Sequence, residues 1–566
     1  MAELFASVLP ERVYLISFMR LKAGRGPGLN CVVDPVAPVT VFVGPNNAGK
    51  SRVLTEIEQW CRTGRAAGSE ALLDKVVFSG LSVEEAAETI SSLLPAEYAG
   101  EVPSSGTIIL NHRPLQVGNL NRVLQLPESD PHAFCREFLS SRTLKLDAHS
   151  RVALVNPQSA GDLLRPPTSS LQVLLRDEAR RMEVRRIVFD AFGEHFVVDP
   201  TNLGSLRIRL SSSAPATEIE EVGIHSDARQ FHERASLIES ASDGVKAFVG
   251  IITQLVAGDP RIMLIDEPEA FLHPALAQKL GYEIARAAAR SQKRVFVSTH
   301  SAAFLMGCIH SGTPVTVVRL TFRDRTATAR LLGSDELLTL MRNPLLRSTG
   351  VLSGLFAESV VVTESDADRA FYQEVNERLL RFKPEFAIPG CLFLNAQNKQ
   401  TVHVIVDPLR RLGIPTAGVV DVDALKEGGV VWTNLLSAAG IPEIARNSLA
   451  VLRSDINGAF KRTGMDMKRA GGVEILGAAE KETAELLLAQ LREYGVFIVP
   501  GGELESWLKN LGVTGHTPAW LISVFEKMGS DPDSPGFVKP TDGDVWSFVG
   551  GMRRWFVNSA RKGIPM

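Results

Sequence analysis

The chain of 566 residues has few cysteines and no long hydrophobic run. Its five cysteines are far apart and form no CxxC pair, which excludes a zinc ribbon or a disulfide framework and predicts ordinary thiols. No stretch approaches the ~18 apolar residues that a membrane helix requires. The first residues also lack a secretory pattern. We therefore expect a cytoplasmic protein with no membrane partner.

The chain also lacks a strong net charge, since its formal charge is -3. A polyanionic partner would have to meet local basic patches, because the field of the whole molecule is not attractive to it. Two patches are candidates, and a solvated helix face or a frayed tail is the alternative reading of each. Their residues are Arg176, Arg180, Arg181, Arg185 and Arg186 in the first, and Arg553, Arg554, Arg561 and Lys562 in the second.

A glycine-rich segment, GPNNAGKS, follows the apolar run Val39 to Val43 and precedes a stretch compatible with a helix. The pattern G-x-x-x-x-G-K-[ST] at a strand-to-helix turn predicts a P-loop, whose backbone N–H groups surround phosphate oxygens. Lys50 would reach the β- and γ-phosphates, and Ser51 would bind Mg²⁺. The predicted nucleotide contacts of this loop are Gly44, Asn46, Asn47, Gly49, Lys50 and Ser51.

Two later strands carry further candidate residues for the same site. The predicted strand Arg261 to Ile265 ends at Asp266, which we assign to Mg²⁺, and Glu267, which we assign as the base that activates water. The predicted strand Arg294 to Ser298 is followed by His300, which is placed to contact the γ-phosphate. With SASDGVKA at Ser240 to Ala247 as the remaining segment, the sequence therefore predicts one ATP site built from four separated segments.

The order of these segments resembles the soluble, SMC-like branch of the ABC ATPases. That branch often has a P-loop reading GPNNxGKS and a Walker B region that continues as DEPExxLHP, as this chain does. The resemblance implies that Ser242 and Gly244, in SASDGVKA, are the serine and glycine of the ABC signature. It also implies that ATP lies between two heads, in a homodimer or a higher, even-numbered homo-oligomer.

Nearly 190 residues separate the P-loop from this signature, more than a nucleotide-binding core needs. Helical periodicity recurs in the interval, but no sustained heptad repeat does. We therefore expect a compact, mainly helical dimerisation arm at about 65–200, rather than a long coiled coil.

A second group of acidic residues follows two predicted strands further along the chain. Glu364 comes directly after the run Glu358 to Thr363, and Asp421 and Asp423 come after Thr416 to Val420. Open α/β sheets build their sites at the carboxyl ends of their strands, so these carboxylates should meet there. Three carboxylates repel one another unless a hard cation such as Mg²⁺ offsets the repulsion. Bound Mg²⁺ suits phosphodiester cleavage.

This arrangement of glutamate, helix and D-x-D resembles a TOPRIM domain, and its coupling to an SMC-like ATPase resembles the OLD-family nucleases and the related Gabija antiviral effector. The resemblance implies that Asp368 and Glu505 also serve the metals, which can be Mg²⁺, Mn²⁺ or Ca²⁺. It implies a lysine near the scissile phosphate, for which Lys399, Lys461 and Lys468 remain open. Ser365 departs from the glycine that usually follows the TOPRIM glutamate.

The predicted fold class is α/β, with an SMC-like ABC ATPase head carrying a helical insertion at residues 1–345 and a C-terminal TOPRIM domain at 346–566. The predicted function is that of an ATP-regulated, Mg²⁺-dependent DNA endonuclease in antiphage defence or DNA processing, with or without a separate defence partner protein. The alternative is an ATPase clamp or sensor whose TOPRIM domain docks a partner without cleaving DNA.

Overall fold

The computed structural model describes residues 15–25, 29–93, 106–110, 113–323, 326–348 and 350–564. The chain divides into two compact units, an N-terminal unit of Met1–Leu338 and a C-terminal unit of Thr339–Met566. The residues on which the expectation of no secretory leader depends lie outside the described residues.

The N-terminal unit contains both strands and helices along most of its length. Its strands are β1 (Ile16–Leu21), β2 (Cys31–Val33), β3 (Val39–Val43), β4 (Leu73–Phe78), β5 (Thr107–Leu110), β6 (Arg113–Gln116), β7 (Thr143–Leu146), β8 (Gln158–Ser159), β9 (His195–Asp199), β10 (Ser205–Ser211), β11 (Ser236–Leu237), β12 (Ile262–Asp266), β13 (Arg294–Ser298), β14 (Val315–Arg323) and β15 (Thr326–Leu332). Its helices are α1 (Lys50–Thr63), α2 (Val83–Leu93), α3 (Val117–Gln125), α4 (Pro131–Glu137), α5 (Ala148–Ala153), α6 (Ser170–Arg176), α7 (Glu178–Phe192), α8 (Glu218–Val222), α9 (Ser226–Arg234), α10 (Asp243–Ala257), α11 (Pro274–Arg290) and α12 (Ala302–His310), and α13 (Ser334–Arg342) crosses the boundary between the units.

A six-stranded sheet in the order β15-β14-β3-β13-β12-β7 forms the centre of this unit. Five neighbouring strands, β14, β3, β13, β12 and β7, are parallel, and β15 is antiparallel to β14 at one edge. β3 and β13 are buried along their whole length, as expected of parallel strands covered on both faces. The carboxyl ends of the parallel strands therefore meet along one edge of the sheet.

Residues 65–200, where a helical insertion is expected, contain six helices but also contribute to the sheets. β4 pairs with β1 in a three-stranded antiparallel sheet, and β7 is the edge strand of the six-stranded sheet. This region is mainly helical, yet four of its strands, β4, β7, β8 and β9, pair with strands of the N-terminal unit that lie outside it. Its role as a dimerisation arm stays a prediction.

The C-terminal unit is built around a four-stranded parallel sheet in the order β17-β16-β18-β19. Its strands are β16 (Ser359–Thr363), β17 (Cys391–Asn395), β18 (Thr416–Val420) and β19 (Val496–Ile498). Its helices are α14 (Pro344–Ser348), α15 (Asp366–Phe382), α16 (Val402–Arg411), α17 (Gly429–Ala438), α18 (Glu443–Thr463), α19 (Ala478–Glu493), α20 (Ala519–Met528) and α21 (Asp544–Val557). An aromatic core containing Trp507, Trp520, Trp546 and Trp555 packs against this sheet.

Neither basic patch is simply an exposed phosphate-binding surface. In the first patch, Arg181 and Arg185 are buried and form ion pairs with Glu221. These two arginines therefore have a structural role and are not available to bind nucleic acid. In the second, Arg553 donates to the carbonyl oxygen of Ala387 and Lys562 pairs with Glu493. The aromatic residues between them, Trp555 and Phe556, belong to the core.

All five cysteines are unpaired thiols, and four of them are buried, which confirms the prediction that the chain has no disulfide framework. None of the helices in the described part of the chain is both long enough and apolar enough to cross a bilayer.

Candidate nucleotide and metal sites

The predicted P-loop connects the buried strand β3 to helix α1 at the carboxyl edge of the six-stranded sheet. Gly44 has φ 142° and Gly49 has φ 93°, backbone conformations that favour glycine. A Cβ atom on Gly44 would lie 2.0 Å from the carbonyl oxygen of Leu320, so a side chain cannot be added there without displacing β14. Asn46 and Asn47 are exposed on the loop. The turn therefore presents its backbone to a ligand as a P-loop requires.

Lys50 is buried, and its ammonium group folds back over the loop. Its Nζ donates to the carbonyl oxygens of Gly44 at 2.9 Å and Pro45 at 2.7 Å. Burial lowers the pKa of Lys50 to about 8, against the opposing effect of nearby carboxylates, of which Glu267 is the largest. An anionic phosphate at the loop would raise the pKa of Lys50 again and so favour its charged form.

Ser51 and Asp266, the two predicted Mg²⁺ ligands, are in direct contact. The hydroxyl of Ser51 donates to Oδ1 of Asp266 at 3.0 Å, and the hydroxyl of Ser298 donates to the same oxygen. The register explains the contact, because Asp266 pairs with Ser298 and Ser298 pairs with Phe42 across three adjacent parallel strands. Residues more than 200 positions apart thus form the hydroxyl and carboxylate pair that ATPases use to hold Mg²⁺.

Glu267 and His300 also lie together, with 3.4 Å between Oε1 of Glu267 and Nε2 of His300. Glu267 has a φ of 50°, which is unusual for a residue with a side chain. The guanidinium of Arg151 donates to the main-chain oxygens of Asp266 and Glu267 and so holds this turn. Burial, followed by the charge of Lys50, lowers the pKa of His300, which keeps the imidazole largely neutral near pH 7.

The sequence interpretation gave no role to Glu269 or Arg151. Oε1 of Glu269 accepts hydrogen bonds from the hydroxyl of Thr299 at 2.6 Å and from the backbone N–H of His300 at 2.9 Å. Glu269 therefore positions the turn that carries His300. It stands two residues after Glu267 in the DEPE segment, so its place in the motif was the available signal.

Ser242 and Gly244, the predicted signature residues, lie at the start of α10. Ser242 is its exposed N-cap residue. Gly244 is buried, and a Cβ atom there would lie 2.6 Å from the carbonyl oxygen of Phe271. Gly244 therefore allows α10 to pack closely against the segment that follows Asp266 and Glu267.

The three predicted metal ligands of the C-terminal unit converge. Glu364 follows β16, and Asp421 and Asp423 follow the adjacent parallel strand β18. One carboxylate oxygen from each lies within 4.8 Å of the others. Oε1 of Glu364 also accepts the backbone N–H of Asp421 at 2.9 Å, which fixes the distance between the two strand ends.

Two of the three candidate lysines contact these carboxylates. Nζ of Lys468 lies 2.7 Å from Oδ2 of Asp421, and Nζ of Lys399 lies 2.8 Å from Oδ2 of Asp423. Lys461 is exposed on α18. Gly502 has φ 120°, and a Cβ atom there would lie 2.1 Å from the carbonyl oxygen of Lys468, so this glycine lets the two loops approach.

The acidic cluster retains unmet capacity for a cation despite these lysines. Oδ1 of Asp423 is buried and has no hydrogen-bond partner. Burial raises the pKa of Glu364, and the charge of Asp421 raises it further. Burial also raises the pKa of Asp421, against the opposing effect of Lys468. An orphaned carboxylate oxygen among carboxylates that repel one another fits a hard divalent cation.

Ser365, the departure from the usual TOPRIM glycine, caps the helix that follows Glu364. The backbone N–H of Asp368 donates to the hydroxyl of Ser365 at 3.2 Å, and the Asp368 carboxylate accepts from the Ser365 N–H at 3.0 Å and hydroxyl at 2.6 Å. This reciprocal capping box starts α15. The structure thus gives Asp368 a clear partner in Ser365.

Asp368 and Glu505 lie outside the group of carboxylates that converge within 4.8 Å among the described residues. Glu505 accepts hydrogen bonds from the N–H and hydroxyl of Thr517. Its neighbour Glu503, which the sequence interpretation missed, lies 3.8 Å from Nζ of Lys468. Glu503 follows β19, the strand parallel to β18, and that position at a strand end could have identified it.

Replacing Ser365 with alanine should lower the free energy of unfolding of the C-terminal unit by about 1 kcal/mol, because both bonds of its hydroxyl are lost. Tryptophan fluorescence during urea denaturation measures this unit, since only Trp60 of the six tryptophans lies in the N-terminal unit. Ser365→Thr keeps the hydroxyl and should unfold close to the unchanged protein. Equal loss in both variants would contradict the capping role.

Two known families match the chain. The family described as "AAA domain, putative AbiEii toxin, Type IV TA system" matches residues 184–306, which include Ser242, Asp266, Glu267 and His300. The family described as "Overcoming lysogenization defect protein-like, TOPRIM domain" matches residues 355–423, from before Glu364 to Asp423. Together they support an OLD-family ATPase–TOPRIM protein.

Solved structures that resemble the chain include SMC head domains. An Smc head bound to the C-winged helix domain of ScpA is 13% identical, with a TM-score of 0.35 over 57% of this chain and 99% of that chain. The SMC head domain from Thermotoga maritima is 14% identical, with a TM-score of 0.29 over 56% and 99%. An Smc head domain from Pyrococcus furiosus with an extended coiled coil, bound to the C-terminal domain of ScpA, is 12% identical, with a TM-score of 0.32 over 58% and 98%. No curated protein matches the chain significantly.

The predicted α/β fold class, an ATPase head followed by a C-terminal TOPRIM domain, is confirmed by the sheets and the family matches. An ATPase-like domain joined to a TOPRIM domain indicates a nucleotide-dependent enzyme of the nuclease type. The ATPase domain implies the use of nucleotide and metal, and a TOPRIM domain typically binds a divalent metal ion.

Proposed function

We propose that the protein is an ATP-regulated, Mg²⁺-dependent DNA endonuclease of the OLD type. The observation that carries the proposal is the convergence of Glu364, Asp421 and Asp423 within 4.8 Å, with Oδ1 of Asp423 buried and unpartnered. These groups lie at the carboxyl edge of a parallel sheet, which is where open α/β sheets bind phosphorylated ligands.

Glu364, Asp421 and Asp423 are the residues that would hold the divalent ion. When bound, the ion would polarise the phosphodiester and favour deprotonation of water. Mg²⁺ suits an all-oxygen set of this size, and Mn²⁺ or Ca²⁺ can take the same ligands. Asp368 and Glu505 are the candidates for a second, neighbouring site.

Lys468 and Lys399 supply positive charge beside the same carboxylates. Burial lowers the pKa of Lys468, but its hydrogen bond to Asp421 and the charges of Asp421, Asp423 and Glu364 together raise the pKa by more, so its ammonium group stays charged. A DNA phosphate that enters the site meets this charge and can take a hydrogen bond from it. Lys468, which contacts both Asp421 and Glu503, is our choice for the lysine nearest the scissile phosphate.

The ATPase unit would control access to cleavage rather than drive it. Lys50, Ser51 and Asp266 would bind ATP and its Mg²⁺, and Glu267 and His300 would act at the γ-phosphate. Ser242 and Gly244 would contact the γ-phosphate bound to a second copy, in a homodimer or a larger even-numbered assembly. ATP can shift the protein between an open and a closed state only if ATP binds these two states with different affinities.

A role in antiphage defence or DNA processing, with DNA as substrate, follows from the proposed OLD-type chemistry. The relation to Gabija and the need for a separate defence partner are parts of the same proposal. Cytoplasmic location agrees with the use of ATP and DNA.

One observation favours the alternative, in which the TOPRIM domain docks a partner without cleaving DNA. Each aspartate of the D-x-D pair already has a lysine ion pair. If these pairs persist in the presence of divalent cations, the carboxylates would serve as a structural cluster, and the protein would act as an ATPase clamp or sensor.

Incubation of the purified protein with supercoiled and linear DNA distinguishes the two functions. We expect cleavage that requires Mg²⁺ or Mn²⁺, stops with EDTA and changes when ATP is added. Absence of cleavage under every combination of metal, nucleotide and DNA form, with ATP hydrolysis intact, would favour the non-cleaving alternative.

Without divalent metal, the C-terminal unit should lose stability as the pH rises. Burial raises the pKa of Glu364 and Asp421, so the folded protein binds more protons than the unfolded chain at pH values above the ordinary carboxyl range, near 4. By linkage, stability then falls as the pH increases toward neutrality. Thermal unfolding in EDTA should show this trend, and Mn²⁺ should raise the midpoint most at neutral pH. The Asp455→Asn control, on an exposed residue of α18, should respond as the unchanged protein does, and an equal Mn²⁺ effect without Glu364 would contradict the assignment.

A further inference from the structure

A large cavity of the N-terminal unit lies at the edge of the six-stranded sheet opposite the P-loop. Its volume is about 770 Å³. Arg142, Arg261 and Lys293 line it, and each comes immediately before a strand: β7, β12 and β13 respectively. Backbone bonds from the N–H of Arg261 to the oxygen of Arg142, and from the N–H of Arg294 to the oxygen of Arg261, tie the three segments together. Because these strands are parallel, the cavity is at their amino ends and the ATP site is at their carboxyl ends.

The lining of this cavity is strongly basic. Four arginines, Arg142, Arg180, Arg261 and Arg290, and the amine of Lys293 line it, against the two carboxylates of Glu183 and Asp259. The excess differs from the chain as a whole, which carries a formal charge of -3. A concave surface lined by one sign of charge concentrates ligands of the opposite sign.

Two of these arginines, Arg142 and Arg261, have side-chain N–H groups without a hydrogen-bond partner among the described residues. The side chain of Arg142 is only 6% exposed; it pairs with Asp259, but its Nε is buried without a hydrogen-bond partner. The guanidinium of Arg261 is half-buried and forms no hydrogen bond or ion pair with the described residues. Burial, followed by the charge of Arg142, lowers the pKa of Arg261.

Lys293 has a structural role that accounts for its own burial. Its Nζ donates to the carbonyl oxygens of Gln254 at 2.7 Å and Gly258 at 2.8 Å, at the end of α10. Burial and then the charge of Arg261 lower its pKa to about 7. Helix capping therefore explains Lys293 but leaves the unpartnered Arg261 and the Nε of Arg142 unexplained.

We propose that this cavity binds a small molecule carrying two or more phosphate groups. The volume falls in the range of about 300–1,000 Å³ typical of small-molecule sites. Planar guanidinium groups such as those of Arg142 and Arg261 recognise phosphate oxygens in pairs. Val173, Leu255 and Val256 add apolar lining, and the volume of the cavity suits a compact ligand better than a duplex. The site is separate from the P-loop and does not depend on nuclease activity.

Calorimetric titration with inorganic tripolyphosphate tests the site. The Lys50→Ala protein is used throughout, in EDTA, because the P-loop also binds polyphosphate. We expect measurable binding to this protein and at least about tenfold weaker binding after the further change Arg261→Gln, since charge-assisted hydrogen bonds are lost. Arg165→Gln is the matched control, because that arginine is exposed and outside the cavity. It should leave the affinity unchanged.

Any of four results would overturn the proposal. One is the absence of tripolyphosphate binding to the Lys50→Ala protein. Another is equal affinity with and without Arg261→Gln, or an equal loss in Arg261→Lys, which retains the charge and should bind within a few-fold of the parent. The last is a variant that weakens binding of single-stranded DNA but not of tripolyphosphate, which would make the cavity a nucleic-acid contact.

Discussion

Replacing Asp421 and Asp423 together with asparagine should lower metal-dependent DNA cleavage by at least about 10³-fold and leave ATP hydrolysis unchanged. Two of the three converging carboxylates lose their charge in this variant, while their size and the backbone bond from Asp421 to Glu364 are retained. Divalent ions stabilise the transition state for phosphodiester cleavage by several kcal/mol, and each 1.36 kcal/mol corresponds to tenfold in rate. Plasmid nicking and phosphate release are the two measurements.

Asp455→Asn provides the control for this change. Asp455 is an exposed aspartate of α18 in the same unit, so its replacement removes one charge without touching the cluster. Both activities should remain at the level of the unchanged protein. Cleavage that persists in the double variant would show that the metal site has been assigned to the wrong residues.

The change Glu267→Gln should reduce ATP hydrolysis by about 10²–10⁴-fold and preserve ATP binding. The amide cannot accept the proton of water, yet Lys50, Ser51 and Asp266 remain to hold the nucleotide. The 3.4 Å approach of His300 to Glu267 places both groups where the γ-phosphate would lie. If ATP regulates cleavage, the variant should hold the protein in its ATP-bound state. Because ATP is then not consumed, the nuclease activity should stay constant with time after ATP is added.

Glu128→Gln is the control for the ATPase experiment, because Glu128 is exposed and distant in sequence from all the motifs. Its phosphate release should be unchanged. Loss of ATP binding, rather than hydrolysis, in Glu267→Gln would indicate that Glu267 supports the nucleotide and is not the base.

The sequence allowed prediction of those site residues whose positions follow from strand ends. Asp266, Glu364 and Asp421 each follow a continuous apolar run, and parallel pairing brings such ends to a common edge. The P-loop could be assigned because its turn requires positive φ angles at Gly44 and Gly49. This requirement is local, so the motif alone indicates it. These predictions required no knowledge of distant contacts.

Contacts set by tertiary packing could not be predicted in the same way. Lys399, Lys461 and Lys468 could not be ranked from the sequence. Tertiary packing separates them, because it brings Lys399 to Asp423 and Lys468 to Asp421. Arg181 and Arg185 have the spacing of a basic surface but are buried against Glu221, about 40 residues further along the chain. The capping role of Ser365 could not be predicted either, because the sequence showed only that Ser365 replaces the usual glycine and not that it caps α15 together with Asp368.

Anomalous X-ray scattering from crystals grown with Mn²⁺ would test the metal site most directly. We predict a peak among Glu364, Asp421 and Asp423, with Oδ1 of Asp423 as one of its ligands and the lysine ion pairs loosened. The peak should disappear in the Glu364→Gln protein. A structure at saturating Mn²⁺ that has no peak there, with Lys468 and Lys399 still bound to the two aspartates, would contradict the assignment of a metal-dependent nuclease.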